Sequence, residues 1–484
     1  MTTEKAEAVV TAAAAAHREW SRSSRETRAE ALTAVADSLD AAADELVAIA
    51  GAETHLAETR LRGELMRTTF QLRLFAEVLL DGGFLDARVD HPDPAWPMGP
   101  RPDLRRTSQA IGPVIVYAAS NFPFAFSVAG GDTASALAAG ASVIVKAHAG
   151  HPELSRRTAH IVIEALHRAG APEGIFALVE SREAGIRILR DPLIKAGSFT
   201  GSIPGGRALF DIAGGRPDPI PFFGELGSVN PVFVTAEADR RRGAAVADEL
   251  LSSVTLGSGQ FCTKPGVVLV PEAGSIVAAL RAHPLPDGQR MLNDRIHDGY
   301  AETLGGLIAH DAVEVLAQGS DPFGTAPTPT VLLASVDDVL ANQHELFREC
   351  FGPTVLVVAY RGEPDLVRFA RAIDGQLTAT IVGEEDDAVV PALVDELREK
   401  AGRLIWNQWP TGVSVTFAQQ HGGPYPATTA PGSTSVGTAA ISRFLRPVAF
   451  QGFPQSLLPD ELTDSPAATL VRRVDGAVES HTGG

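Results

Sequence analysis

The first 75 residues carry the repeating apolar pattern of amphipathic helices. Between Thr2 and Phe75, apolar side chains recur at steps of three and four residues among Glu and Arg, as at Leu32, Val35 and Leu39. Such a period places the apolar residues on one face of an α-helix. The pattern therefore predicts a helical opening segment.

Proline dominates the next stretch, between Asp90 and Asp103. Five prolines fall within it, at positions 92, 94, 97, 100 and 102. Proline breaks helices and lacks the N–H group that a central strand needs. The stretch therefore predicts an extended arm or an edge hairpin that reaches away from the core.

Short apolar runs separated by helical stretches fill most of the remaining chain. They form two series: 113–117, 142–145, 175–179 and 195–199, then 231–234, 267–270, 354–358 and 378–382. Runs of this length with amphipathic helices between them are typical of βαβ units on a parallel sheet. The first series predicts a nucleotide-binding α/β domain and the second another α/β domain. The strand-like piece 469–473 predicts either pairing with a neighbouring subunit or a frayed terminus.

Composition narrows the classes of function. The 484 residues are 45% apolar and 21% charged, which excludes a largely disordered chain. A net charge of −18 repels nucleic-acid phosphates and anionic lipids, so neither is an expected partner. The two cysteines, Cys262 and Cys350, exclude a disulfide framework, and no apolar stretch is long enough to cross a bilayer. We expect a soluble, cytoplasmic and unprocessed protein.

Cys262 lies on a turn that favours exposure of its thiol. A helical face that includes Val254 is followed by glycines at 257 and 259, and a strand begins near Val267. A lone cysteine is often only a small buried hydrophobe. On a tight turn between helix and strand, however, a thiol faces a cleft and is a candidate nucleophile. The ammonium of Lys264 either stabilises the thiolate or is a solvated surface charge.

Two further polar residues stand near the ends of apolar runs. Glu225 lies between Gly224 and Gly227, which predicts a rigid loop whose carboxylate acts as a general base. Asn121 follows the strand that ends near Tyr117, where open α/β sheets bind ligands, and its amide is a candidate donor to an oxyanion. The alternatives are a solvated glutamate and an asparagine that makes a turn or a helix cap.

A glycine turn follows the strand that ends near Phe199. It contains Gly201, Ser202 and Gly206, and Pro204 opens the helix that follows. The arrangement predicts a helix N-terminus that faces a pyrophosphate. Because the turn departs from the usual dinucleotide fingerprint, a plain strand-to-helix turn is the alternative.

In identity and in chain order, Cys262, Glu225, Asn121 and the 199–202 turn resemble the aldehyde dehydrogenase superfamily, over essentially the whole chain. Within the superfamily, the chain is similar to the branch that holds 2,5-dioxopentanoate (α-ketoglutarate semialdehyde) dehydrogenases and NADP-dependent fatty aldehyde dehydrogenases. The segments that carry this similarity are 129–134, 146–148, 224–231, 259–262, 421–426 and 443–447. Two features depart from the superfamily pattern. Ile203-Pro204 replaces a common Thr-Glu pair, and Lys264 stands where an uncharged residue is expected.

The resemblance implies an α/β aldehyde dehydrogenase-like fold. The expected parts are a Rossmann-type cofactor domain at 1–85 and 105–227, an α/β catalytic domain at 228–445, and a small β oligomerisation arm and tail at 86–104 and 455–484. It also implies a homodimer or homotetramer and an NAD(P)-dependent oxidation of an aldehyde to an acid. In that chemistry Cys262 forms a thiohemiacetal and then a thioester, Asn121 stabilises the oxyanion, and Glu225 activates the hydrolytic water.

For the cofactor, the resemblance implies that Lys146 holds the adenosine ribose and Glu349 the nicotinamide ribose. Three residues after Lys146, where NAD-preferring relatives often have Glu, this chain has Ala149. No carboxylate at that position opposes a 2′-phosphate, and Arg182 is the expected phosphate partner. We therefore expect NADP, with NAD also usable. The alternatives are that Lys146 is a surface charge at a strand end, that Glu349 is a loop carboxylate and that Arg182 is a solvated arginine.

For the substrate, the resemblance places Arg67 near the family's entrance helix, where its guanidinium suits a carboxylate; a helix-surface arginine is the alternative. Phe122 is a second expected substrate contact. His421 resembles a branch histidine near the nucleophile and is a third expected substrate contact, without a firm role; a loop histidine is the alternative. No metal site is predicted.

The favoured substrate is 2,5-dioxopentanoate, and the alternative is a medium- or long-chain fatty aldehyde. A non-catalytic scaffold is disfavoured by the intact Cys262, Glu225 and Asn121. A CoA-dependent acylating enzyme is disfavoured because Glu225 supplies the base that hydrolysis needs.

Overall fold

Helices open the chain in the computed structural model, which describes residues 3–467 and 470–481. They are α1 (Thr3–Trp20), α2 (Arg25–Ala41), α3 (Ala43–Thr54) and α4 (Glu58–Asp81). Leu32, Val35 and Leu39 are buried, as their spacing requires. The predicted helical opening segment is confirmed.

A small sheet contains the proline-rich stretch. Strands β1 (Arg88–Asp90) and β2 (Leu104–Ala110) are antiparallel. Between them, Asp93 and Arg101 exchange backbone hydrogen bonds of 3.0 and 2.8 Å. The predicted hairpin is therefore present, although its two strands lie inside the small sheet and not at its edge.

The first central sheet is entirely parallel. Its strands and the helices between them are β3 (Val114–Tyr117), α5 (Gly131–Ala139), β4 (Val143–Lys146), α6 (Pro152–Arg168), β5 (Phe176–Val179), α7 (Arg182–Arg190), β6 (Ala196–Thr200), α8 (Ile203–Gly214) and β7 (Phe222–Glu225). Their order is β5-β4-β3-β6-β7. The strand order reverses beside β3, which is where doubly wound sheets bind ligands.

The second central sheet has seven strands. Its elements are β8 (Val232–Val234), α9 (Ala236–Thr255), β9 (Val267–Pro271), α10 (Ser275–Ala282), α11 (Asp294–Ile308), β10 (Glu314–Gln318), β11 (Thr330–Ser335), α12 (Val336–Ala341), α13 (Gln343–Leu346), β12 (Thr354–Tyr360), α14 (Pro364–Ala372), β13 (Gln376–Val382), α15 (Val390–Arg398) and β14 (Ala401–Trp406). The order is β10-β11-β12-β9-β8-β13-β14, with β10 antiparallel to β11. All eight predicted apolar runs are strands.

Apolar residues cover both faces of each central sheet. Along β3, Val114 and Val116 belong to one apolar cluster, whereas Ile115 and Tyr117 belong to another. Successive strand residues point to opposite faces, so helices pack on both sides of this sheet. Among the described residues, no helix combines the length and the apolar character needed to span a membrane.

The remaining strands complete the small sheet. They are β15 (Leu445–Gln451), β16 (Leu470–Val474) and β17 (Ala477–His481), and the order is β15-β2-β1-β16-β17. The tail strand β16 therefore pairs with β1 of its own chain, where the sequence predicted a neighbouring subunit or a frayed end. Thr469, which opened that predicted strand, lies outside the described residues.

Candidate active site

Cys262 follows a turn that only small residues allow. Ser258 and Gly259 have φ angles of 57° and 67°. A Cβ atom on Gly259 would lie 2.1 Å from the carbonyl oxygen of Gly352, so no other residue fits there. The turn follows the carboxyl end of α9, and the side chain of Cys262 after it is partly exposed. The predicted helix–turn–strand arrangement is confirmed.

Cys262, His421 and Glu225 meet. The sulfur of Cys262 lies 3.6 Å from Nε2 of His421. The same nitrogen lies 2.7 Å from Oε1 of Glu225, and the Ser435 hydroxyl donates a hydrogen bond to Oε2 of that carboxylate. Because Glu225 and His421 are almost fully buried, the thiol is the accessible member of the group.

Charge on the buried His421 is stabilised by its neighbours. Burial lowers the pKa of this imidazole, but the Glu225 carboxylate and the Cys262 sulfur together raise it well above its ordinary value. His421 is therefore a cation between two acidic groups at neutral pH.

Sulfur, imidazole and carboxylate within 4.8 Å of one another are also a donor set that Zn²⁺ accepts, so the sequence expectation of no metal site stays a prediction.

Glu225 lies at the end of a strand, which corrects the predicted loop. It is the last residue of β7, which pairs in parallel with β6. Gly224 is compatible with the strand because β7 is at the sheet edge. The Gly224 N–H group donates a 2.8 Å hydrogen bond to the Thr429 hydroxyl oxygen. The strand fixes the carboxylate more firmly than a loop would.

Asn121 lies against the turn that holds the nucleophile. Its amide Nδ2 donates a 3.2 Å hydrogen bond to the carbonyl of Gln260, and its side chain is buried. The guanidinium of Arg60 holds the same residue by donating a 2.7 Å hydrogen bond to its carbonyl. Asn121 is therefore positioned by two tertiary contacts, unlike a simple turn or cap residue.

Lys264 is buried, so the prediction that it is a solvated surface charge is wrong. It is 3% exposed, and its ammonium donates hydrogen bonds of 3.0 and 2.6 Å to the carbonyls of Cys350 and Thr354. Burial lowers its pKa, which Cys350 and Glu349 partly oppose. The positive charge of Lys264 therefore acts on Glu349 and Cys350.

A cavity of about 220 Å³ opens at the thiol. Its lining combines guanidinium groups, aromatic rings and the nucleophile turn, through Arg60, Gly63, Glu64, Arg67, Phe122, Phe126, Phe261, Cys262, Thr263, Gly412 and Val413. Two predicted substrate contacts, Arg67 and Phe122, lie in this lining, so Arg67 is not a surface arginine. Burial lowers the pKa of Arg67, whereas Glu64, Cys262 and Glu225 raise it.

Sequence reasoning missed Arg60 and Glu64. With Arg67 they occupy positions i, i+4 and i+7 of α4, which lie on one helix face. Charged residues at helical spacing on one face of this amphipathic helix were the available signal. Glu64 accepts N–H bonds of 2.8 and 3.0 Å from Phe124 and Ala125, which ties the helix to the Asn121 loop.

The predicted cofactor residues lie at the carboxyl ends of β4 and β6. Lys146 ends β4, and its ammonium donates a 2.6 Å hydrogen bond to the Ala147 carbonyl. Burial lowers the pKa of Lys146; Glu183 opposes this effect, and Arg182 adds to it. Arg182 is the first residue of α7 and is exposed beside this lysine.

The turn after β6 forms the predicted helix start. Ser202 is the N-cap of α8 and accepts a hydrogen bond from the Gly205 N–H group. A Cβ atom on Gly206 would lie 2.1 Å from the Leu226 side chain, so glycine permits close packing of α8 beside Glu225. Gly201 is exposed at the turn itself.

Glu349 lies near the same edge, against Gly227. A Cβ atom on Gly227 would lie 2.4 Å from Oε2 of Glu349. Burial raises the pKa of Glu349 to about 7, although Lys264 and the Ser228 N–H group act to lower it. This carboxylate therefore changes its charge near neutral pH.

The aldehyde dehydrogenase family model matches residues 1–425 of the chain. The chain belongs to the aldehyde dehydrogenase family. Enzymes of this family are oxidoreductases.

Two relatives of this aldehyde dehydrogenase carry substrate names. The alpha-ketoglutaric semialdehyde dehydrogenase of Acinetobacter baylyi is 41% identical, with 99% of this chain and 92% of the relative covered. The alpha-ketoglutaric semialdehyde dehydrogenase 2 of Azospirillum brasilense is 43% identical, with 93% of this chain and 87% of the relative covered.

Solved structures share the fold. An NADP-dependent glyceraldehyde-3-phosphate dehydrogenase from Bacillus halodurans, solved with NADP, has a TM-score of 0.78 at 20% identity. The similarity covers 93% of this chain and 92% of that chain. At this identity the likeness concerns the fold, which agrees with the α/β architecture that the sequence predicted.

Proposed function

We propose that this aldehyde dehydrogenase oxidises 2,5-dioxopentanoate to 2-oxoglutarate, with NADP as its preferred cofactor. The observation that carries the substrate proposal is the buried guanidinium of Arg67 in the cavity that also holds Cys262. A fatty aldehyde has nothing to pair with a buried cation, whereas a substrate carboxylate binds it. The substrate names of the two relatives, at 41% and 43% identity, support the same choice.

The first chemical step belongs to Cys262. Protonated His421 at 3.6 Å stabilises the thiolate, which adds to the aldehyde carbonyl. The amide of Asn121 then turns from the Gln260 carbonyl to the oxyanion, together with the Cys262 N–H group. One such donor contributes about 3 kcal/mol to transition-state stabilisation. The product of this step is a thiohemiacetal on Cys262.

The second half of the reaction belongs to Glu225. The nicotinamide cofactor, when bound, supplies the hydride acceptor that converts the thiohemiacetal to a thioester. Glu225 takes a proton from the water that attacks this thioester, and the carboxylic acid leaves. His421 and Ser435 hold the Glu225 carboxylate in place between turnovers. The thiolate is thereby regenerated.

The residues at the carboxyl edge of the first sheet fit a dinucleotide. The N-terminus of α8 carries the partial positive charge that favours a pyrophosphate, and Gly206 keeps that helix close to the catalytic strand. Lys146 and Glu349 supply a cation and a carboxylate for the two riboses. Ala149 leaves room without negative charge, and Arg182 supplies positive charge for a 2′-phosphate.

Two properties of the whole protein are part of the proposal. The small sheet ends at strand β15, whose outer edge offers backbone groups for pairing, which supports a homodimer or a homotetramer. The acidic composition and the two free cysteines support a cytoplasmic location. Light scattering of the purified protein measures the subunit number directly.

The substrate experiment compares kcat/KM for 2,5-dioxopentanoate and for decanal, each with NADP and NAD. We expect 2,5-dioxopentanoate to be the better substrate and Arg67→Met to lower its kcat/KM by about 100-fold, because a charge-assisted contact is lost. Arg62→Met is the matched control, since Arg62 is exposed on the same helix and pairs with Asp44 and Glu58. Higher kcat/KM with decanal, unaffected by Arg67→Met, would contradict the proposal in favour of a fatty aldehyde dehydrogenase.

A further inference from the structure

We propose that Arg60 is the second half of a two-point clamp that selects 2-oxo acids: Arg67 binds the substrate carboxylate, and Arg60 binds the adjacent keto oxygen. This inference rests on the proposed function and extends it to one structural feature of the substrate. It explains why the cavity contains two guanidinium groups where one carboxylate needs only one.

The two arginines differ from the other arginines of the same helix. Arg62 and Arg73 are exposed and pair with carboxylates on neighbouring helices. Within the described part of the chain, Arg60 and Arg67 have no ion pair, and one buried nitrogen of each, Nη1 and Nε respectively, lacks a hydrogen-bond partner. Unpaired buried donors are costly unless a ligand satisfies them. Both residues line the cavity at Cys262.

Aromatic rings bring the two guanidinium groups together. The guanidinium carbon of Arg60 lies 5.2 Å from the ring centroid of Phe122, and that of Arg67 lies 6.0 Å from the same centroid. Phe261 holds Arg60 from another side at 4.5 Å, and Phe126 holds Arg67 at 5.1 Å. The rings fix both cations without using their N–H groups, which stay free for a ligand.

The two cations have different charged neighbours. The charges of Cys262 and Glu225 act on Arg67, whereas Glu64 is the one charged neighbour that acts on Arg60 within the described residues. Glu64 lies between the arginines on the helix and is itself bonded to the Phe124 and Ala125 N–H groups. Its carboxylate balances part of the positive charge, so the clamp suits a monoanion better than a dianion.

The chemistry of the ligand follows from these donors. A 2-oxo acid presents its carboxylate and keto oxygens side by side, and a guanidinium offers N–H groups in a rigid planar fork. Arg60 already donates one N–H group to the Asn121 carbonyl at 2.7 Å, so its position is fixed relative to the oxyanion residue. A semialdehyde of equal length without the keto group loses the contact with Arg60. Sites of this kind discriminate strongly against the analogue that lacks the polar group.

The experiment measures kcat/KM for 2,5-dioxopentanoate and for 5-oxopentanoate, which has the same length and carboxylate but no keto group. We expect wild type to prefer the keto substrate by at least about 10-fold. Arg60→Met should remove the preference by lowering kcat/KM for the keto substrate at least about 10-fold more than for 5-oxopentanoate, because loss of the Asn121 contact affects both substrates. Arg67→Met should lower both values and keep their ratio, and Arg62→Met should change neither. Equal losses for both substrates in Arg60→Met would show a structural role and overturn the clamp.

A binding measurement separates this inference from the proposed function. Alkylation of Cys262 by iodoacetamide is followed in the presence of 2-oxoglutarate or glutarate, which needs no turnover. The clamp predicts that 2-oxoglutarate protects wild type at concentrations at least about 10-fold lower than glutarate does, and that Arg60→Met makes the two equal. Equal protection in wild type overturns the clamp. Failure to oxidise 2,5-dioxopentanoate, with selective protection retained, contradicts the proposed function alone. Arg60→Lys, which keeps the charge but not the fork, covers the case in which the methionine variant does not fold.

Discussion

His421→Gln removes a buried positive charge 3.6 Å from the nucleophilic sulfur. Two unit charges about 4 Å apart interact by roughly 4 kcal/mol at an effective dielectric constant of 20. In the wild type this attraction offsets the repulsion from Glu225, whose carboxylate lies within 4.8 Å of the sulfur. In the variant the repulsion from Glu225 remains, and the positive charge of Arg67 partly offsets it. A net loss of roughly 1.4 to 2.8 kcal/mol of this attraction at the sulfur corresponds to about a 10- to 100-fold slower reaction of Cys262.

The assay is the rate of Cys262 alkylation by iodoacetamide at pH 7.5, read by mass spectrometry of the peptide that contains it. We expect His421→Gln to be slowed by about 10- to 100-fold, because the thiolate is the reactive form. His310→Gln is the control, since its Nε2 makes a comparable 3.2 Å contact with Glu345 at the surface. An unchanged rate in His421→Gln would refute the charge argument.

Three further variants test the other groups of the site. Glu225→Gln should give a burst of about one reduced cofactor per subunit and then a slow steady rate, because the thioester forms but its hydrolysis lacks a base; a stopped-flow trace without a burst contradicts this. Asn121→Ala should lower kcat by about 100-fold with little change in the melting temperature, since one oxyanion donor is lost; a kcat near wild type contradicts it. Burial raises the pKa of Glu349 to about 7, so the cofactor KM should fall as pH rises from 6 to 8 and the carboxylate ionises. Glu349→Gln should make that KM high and independent of pH, and a retained pH dependence assigns it to another group.

Local patterns predicted the strands and the nucleophile turn. Each apolar run of the two central sheets forms a strand because it is short, rich in β-branched residues and bounded by turns. The glycines before Cys262 require backbone conformations that other residues avoid, which is a local property of the chain. The turn was therefore readable without knowledge of the rest of the fold.

Strand β7 escaped prediction because its stability is not local. It has four residues, one of them Gly224, and it exists because β6 and the Thr429 hydroxyl satisfy its backbone. The tail strand β16 shows the same limit. Its sequence predicted a strand edge, but only the folded chain shows that β1 is its partner.

Lys264 and His421 show what long-range packing adds. Lys264 is two residues from the nucleophile, yet its N–H group bonds to the Phe261 carbonyl in a turn, and its side chain is directed inward to Cys350. His421 is 159 residues from Cys262 in the sequence but touches its sulfur. Neither direction is encoded in the spacing of nearby residues. Arg60 was missed for the same reason, because its partners lie on the Asn121 loop.

The most direct measurement is rapid-quench mass spectrometry of Glu225→Gln incubated with 2,5-dioxopentanoate and NADP. The account predicts an acyl adduct on the Cys262 peptide. The adduct should increase the mass of the peptide by the mass of the substrate minus two hydrogens, in proportion to the reduced cofactor formed. No adduct should appear on the Cys350 peptide, since that thiol is buried. Reduced cofactor formed without any adduct on Cys262, or full turnover by Cys262→Ser, would contradict the account.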